Sequence, residues 1–128
     1  MKLIFAWTIS MGYISVECSS DVVYGDAYSP LAYILNDSGG ERPLDTLPWL
    51  ERGLELLRSV KISRVEVAEW GREAWSAEIT KSQVKIYSLH NESTFEKVSL
   101  DTFERALSAW IGFIQTPQVP GFCEEVVV

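Results

Sequence analysis

Two β-rich runs open the chain, the largely apolar Lys2 to Ile9 and the alternating Tyr13 to Cys18, and they predict two strands. In the second, Ile14 and Val16 alternate with Ser15 and Glu17, so one face turns inward and the other outward. The short glycine-containing link Ser10-Met11-Gly12 predicts a hairpin. The stretch from Ser19 to Gly40 is less regular. Within it, Ser29-Pro30 resembles an N-cap and first helical position, followed by the short apolar stripe Leu31, Ile34 and Leu35. Asn36-Asp37-Ser38-Gly39-Gly40 closes it as a loop.

A second helix should open at Asp45 or Thr46, with Pro48 in its first turn, and end near Ser59. Its core stripe is Leu47, Leu50, Leu54 and Leu57. Gly53 falls inside it, at a cost of about 1 kcal/mol relative to Ala, and close packing against a sheet would explain it. Four strand patterns follow: Arg64 to Trp70, Trp75 to Ile79, Gln83 to Ser88 and Thr94 to Val98. Their short links imply an antiparallel meander. Ser99 then caps a helix from Leu100 to about Gln115, with the apolar stripe Phe103, Leu107, Trp110, Ile111 and Ile114. Pro117 stops it, and Phe122 to Val128 reads as a last strand or a loose end. The expected fold is α+β: a mostly antiparallel sheet, N-terminal hairpin plus meander, with two main helices on one face.

Size and composition agree with a single domain spanning 1–128. Hydrophobic residues are 47% of the chain, with five Trp, five Tyr and five Phe, which is material for a core and unlike a disordered composition. The net charge of −7 changes the picture more. Phosphate backbones and anionic lipid call for clustered Lys and Arg, which this chain lacks, so neither direct nucleic-acid binding nor membrane binding is expected. A basic protein partner fits the charge, and so does plain solubility. The opening run Met1 to Ile9 lacks a small-residue cleavage site, no apolar run reaches spanning length, and a cytoplasmic location is expected. Cys18 and Cys123 read as two reduced, packed thiols, with a single bridge between them as the alternative.

The chemistry-bearing residues are sparse. His90, in a polar loop with Ser88 and Glu92 nearby, matches no catalytic signature and reads as solvated. Zinc and calcium spacings, Walker loops and dinucleotide fingerprints do not occur. Glutamate pairs such as Glu66/Glu69 and Glu69/Glu73 read as a solvated surface rather than an acid–base pair. No catalytic residue, metal or cofactor is expected.

What stands out is how the charge is distributed. From Glu17 to Glu41 there are five acids, Glu17, Asp21, Asp26, Asp37 and Glu41, and no base. From Val65 to Thr80, Glu66, Glu69, Glu73 and Glu78 face Arg72 alone and are interleaved with Trp70 and Trp75. Carboxylates beside aromatics suit a protein interface, where rings anchor and carboxylates pair with a partner's Arg or Lys. Trp75 shares a face with Ala77 and Ile79 and reads as core; Trp70, beside Gly71 at a strand end, is open to either role. The candidate contacts are Asp37, Glu41, Glu66, Glu69, Trp70 and Glu73.

Three segments carry a resemblance. They are Trp7-Thr8-Ile9-Ser10-Met11-Gly12, the block Glu69-Trp70-Gly71-Arg72-Glu73-Ala74-Trp75 with Ile79 and Ile86-Tyr87-Ser88, and the closing helix with Phe103, Ala106-Leu107, Trp110 and Phe113-Ile114. Together they resemble immunity proteins of bacterial contact-dependent growth inhibition and related polymorphic toxin systems. The resemblance implies a small cytoplasmic protein that binds a cognate toxin, a basic nuclease domain such as a ribonuclease, and blocks it without catalysis. The alternative is an adaptor or structural module that binds some other basic protein.

Overall fold

The computed structural model describes residues 1–24 and 29–128. Asp26 lies outside the described residues. The fold is α+β. The hairpin and the meander are not hydrogen-bonded to each other but form two antiparallel sheets. Strands β1 (Lys2–Ser10), β2 (Tyr13–Ser20) and β7 (Cys123–Val127) make the first, in the order β2-β1-β7. Strands β3 (Val67–Gly71), β4 (Trp75–Thr80), β5 (Val84–Ser88) and β6 (Phe95–Val98) make the second, in chain order. The C-terminal tail is therefore a strand, and it pairs with the N-terminal one.

The hairpin turn is shorter than the three-residue link read from sequence. Ser10 pairs with Tyr13, leaving Met11 and Gly12 as a two-residue turn with φ of 52° and 82°. Both left-handed values are what a tight hairpin needs to match strand twist, and Met11 adopts one without glycine's freedom.

Helix α1 (Pro30–Asn36) begins as its residues dictate: Ser29 Oγ accepts from Ala32 N at 3.3 Å, and Pro30 fills the first position. A single turn, Pro43–Thr46, leads into α2 (Leu47–Lys61). Helix α3 (Leu100–Ile114) is capped by Ser99, whose Oγ accepts from Thr102 N at 3.0 Å. Leu3, Phe5 and Trp7 of β1 face the C-terminal half of α3, where Phe5 meets Trp110 edge-on at 5.1 Å and Trp7 stacks on Phe113 at 5.8 Å. Helix α2 lies between α3 and β3, and α1 bridges the two sheets, touching β2 on one side and β4, β5 and β6 on the other.

The α2–α3 contact ends in an ionic cluster. Lys61 bridges Asp101 (2.9 Å) and Glu104 (2.8 Å), and Arg58 reaches Glu104 (3.1 Å). Hydrogen bonding to Lys61 holds both carboxyls below their ordinary values and raises Lys61. Glu96 is buried on the inner face of β6, where its Oε1 accepts from Leu31 N at 3.1 Å and ties the first turn of α1 to the sheet. Burial pushes this carboxyl above its ordinary value.

Candidate protein-binding surface

The register of the meander decides which side chains share its open face. Inward, Trp70, Ala77, Ile86 and Glu96 form one row, and Ala68, Ile79, Val84 and Val98 the next; all are buried. Outward, the central row reads Glu69, Glu78, Lys85 and Lys97 across β3, β4, β5 and β6. The open face is thus polarised, acidic over β3 and β4 and basic over β5 and β6.

Glu78 stands opposite Lys85 where the two halves meet, but no ion pair joins them among the described residues. Lys85 Nζ sits 4.8 Å from the centre of the Phe95 ring, and Lys97 Nζ lies 5.7 Å from the same ring, so the cations rest on an aromatic instead of on the acids. Glu69 and Glu78 face each other directly and belong to no ion pair among the described residues. Like charges in that position cost about 0.2–1 kcal/mol. Glu66 and Glu73 are exposed at the two ends of β3, also without an ion-pair partner among the described residues. Of the expected contacts, Glu69 lies on the open face, Glu66 and Glu73 are exposed beyond the two opposite ends of β3, and the register adds Glu78. Glu78 was visible in the sequence as one of the acids of this segment; what identifies it is the register across the β3–β4 turn, which sets it opposite Glu69.

The other expected contacts have work inside the fold. Asp37 caps the end of α1, and its Oδ2 accepts from Ala74 N (3.0 Å) and Trp75 N (3.1 Å) in the β3–β4 turn. Glu41 pairs with Arg72, which also donates to Ser38 O at 2.9 Å and lies 4.9 Å over the Trp49 ring. Gly39, with φ of 62°, lets this guanidinium come close: a Cβ there would lie 2.8 Å from Arg72 Nε. Asp37 Oδ2 and Glu41 Oε1 thus fasten the 36–41 loop to the β3–β4 turn, while Glu41 remains exposed beside Arg72.

Trp70 is a clear correction. It is only 4% exposed and cannot offer its ring to another protein. Its indole stacks on Trp49 at 4.3 Å, meets Phe103 edge-on at 6.0 Å, and donates from Nε1 to Trp49 O at 2.9 Å. The strand end beside Gly71 is not frayed, because Trp49 Nε1 donates to Gly71 O at 3.0 Å and holds it. Trp75 is half-buried and stacks on Tyr33 at 5.3 Å.

Elsewhere the reactive side chains stand apart. His90 is exposed in the β5–β6 loop. Cys18 and Cys123 are free; Cys18 is buried, which pushes its thiol up to about 12, while Cys123, expected to be packed as well, is exposed on the last strand. Among the described residues no three His, Cys, Asp or Glu side chains are placed to hold a metal ion, and no helix is long and apolar enough to cross a membrane. No protein family, no curated protein and no solved structure matches this chain.

Proposed function

We propose that this chain is an immunity-type inhibitor that binds a basic nuclease toxin domain, such as a ribonuclease, and neutralises it stoichiometrically. The observation that carries the reading is the carboxylate pair Glu69/Glu78 on an open sheet face, in no ion pair among the described residues, with Glu66 and Glu73 exposed beyond the ends of β3. A fold that sets two like charges opposite each other, with lysines in the neighbouring strands resting on an aromatic, has kept those charges available. A cationic groove built for a nucleic-acid backbone would supply the missing counter-charges, and long-range attraction would speed the encounter. The similarity of the three segments to immunity proteins gives the partner its class.

The direct test mixes the protein with the product of the adjacent gene, which the proposal requires to carry a nuclease toxin domain. A one-to-one complex on gel filtration and protection of RNA or DNA from cleavage are expected. Glu69→Lys with Glu78→Lys should weaken binding at least about tenfold, mostly by slowing association at low salt. No complex, or full affinity after both reversals, would remove the proposal. Capture of a basic protein without nuclease activity would favour the adaptor reading instead.

A further inference from the structure

β2 is an edge strand, and only part of its edge is closed. At Cys18 the side-chain amide of Asn36 replaces a neighbouring strand residue: Oδ1 accepts from Cys18 N at 2.8 Å, and Nδ2 donates to Cys18 O at 2.9 Å. The main-chain groups of Cys18 therefore point away from β1. Strand geometry repeats every two residues, so those of Val16 and Ile14 point the same way. No described residue bonds to them.

Two cavities flank this stretch, one on each face of β2. The inner cavity, about 270 Å³, is walled by Ile14 and Val16 over a buried floor of Leu35 and Trp110, with Glu41 and Arg42 at its rim. The outer one, about 500 Å³, is walled by Ile4, Ala6 and Tyr33, with Glu17 beside them. Ser15, Val16 and Asn36 border both. An added strand would lie between the two spaces, and its side chains would alternate into them. The walls set the chemistry. The inner side takes apolar groups, and the outer side offers Glu17, a carboxylate in no ion pair among the described residues.

We infer that the edge from Tyr13 to Glu17 docks an extended segment of another protein by strand addition, apolar toward Ile14 and Val16 and basic toward Glu17. The net charge of −7 favours that occupant over a second copy of the chain. The inference is independent of the acidic face on β3 and β4, with which it shares no residue.

An alternating Lys/Val heptapeptide, capped at both ends, is the probe, read by amide exchange and NMR shifts on the full chain. Binding should slow exchange at Ile14 and Val16 by at least about tenfold at saturation. Val16→Pro should abolish the effect, because its N–H bonds nothing within the fold and an edge strand tolerates the ring. The same peptide carrying N-methyl groups on alternate residues should also fail, which tests strand pairing without altering the protein. No protection at Ile14 and Val16, equal binding of a Glu/Val heptapeptide, or concentration-dependent self-association that protects the same amides would each overturn the inference.

Discussion

Replacing Gly53 by Ala tests the packing that governs the α2–β3 contact. In an isolated helix the change would stabilise by about 0.8–1.0 kcal/mol. Here a Cβ on residue 53 would lie 2.5 Å from Cε2 of Trp70, 2.8 Å from Cδ2 and 2.9 Å from Nε1. Ordinary carbon contacts begin near about 3.5 Å, so the indole would have to retreat by about 1 Å. It has little room to do so. Trp49 covers one of its faces, Phe103 meets it edge-on, and the bond from Nε1 to Trp49 O fixes it in its plane. Overpacking costs about 1–3 kcal/mol, and a broken hydrogen bond adds about 1 kcal/mol. After the helix-propensity gain is subtracted, Gly53→Ala should destabilise by about 1–3 kcal/mol. Urea unfolding followed by far-UV circular dichroism measures it, and the melting temperature should fall by about 4 °C per kcal/mol. A double-mutant cycle isolates the cause. In a Trp70→Phe background the smaller ring leaves space, so adding Gly53→Ala should be neutral or stabilising. A Gly53→Ala variant as stable as the parent, or additivity between the two changes, would refute the reasoning.

Asp37→Ala removes the acceptor of the Ala74 and Trp75 amides and should cost about 1–3 kcal/mol in urea unfolding, with no change in the far-UV spectrum of the folded state. Met11→Asn should stabilise by about 0.5–1 kcal/mol, read as a higher melting temperature, because Asn tolerates the left-handed φ of 52° at that turn position. Glu69→Gln relieves the repulsion with Glu78, its only cross-strand neighbour on edge strand β3, and should raise stability by about 0.2–1 kcal/mol while weakening capture of a basic partner; a loss of stability would show that the pair is not repulsive. The acid response has two parts of opposite sign. Asp101 and Glu104 are held low in the fold, so their contribution is present above the unfolded carboxylate range and is lost as pH falls through their lowered values. Glu96 is held high, so its contribution is complete below the unfolded value and is lost as pH rises through the folded one; Glu96→Gln should therefore gain on the parent from the carboxylate range toward neutrality in urea titrations.

Local pattern was enough for most of the elements. The β-rich and period-2 runs gave β1, β2 and the meander, and the Ser-capped apolar stripes gave α1 and α3, because those signals depend only on neighbours in the chain. Boundaries moved where a distant group intervened. The strand expected from Arg64 begins at Val67, since Arg64 N and Val65 N bond back to Ser59 O at the end of α2. The helix expected to stop near Ser59 runs on to Lys61, whose ammonium is held by Asp101 and Glu104 of α3. That the tail is a strand could be settled only by its partner, β1, more than a hundred residues away in sequence.

The charges follow the same division. Composition alone established an acidic chain with few bases, because charge is a sum over residues and needs no coordinates. Which acids remain available is a question of partners. Asp37 and Glu41 were indistinguishable in the sequence from Glu66 and Glu73, and only the approach of the β3–β4 turn to the 36–41 loop gave them acceptor work and an Arg72 partner. Trp70 could have been an anchor or a core residue until α2 brought Trp49 and a glycine against it. The chain by itself determined its element types and its net charge, since both are local or additive. Tertiary structure decided which carboxylates face solvent unpaired and which rings are buried, since those depend on contacts between segments far apart in sequence.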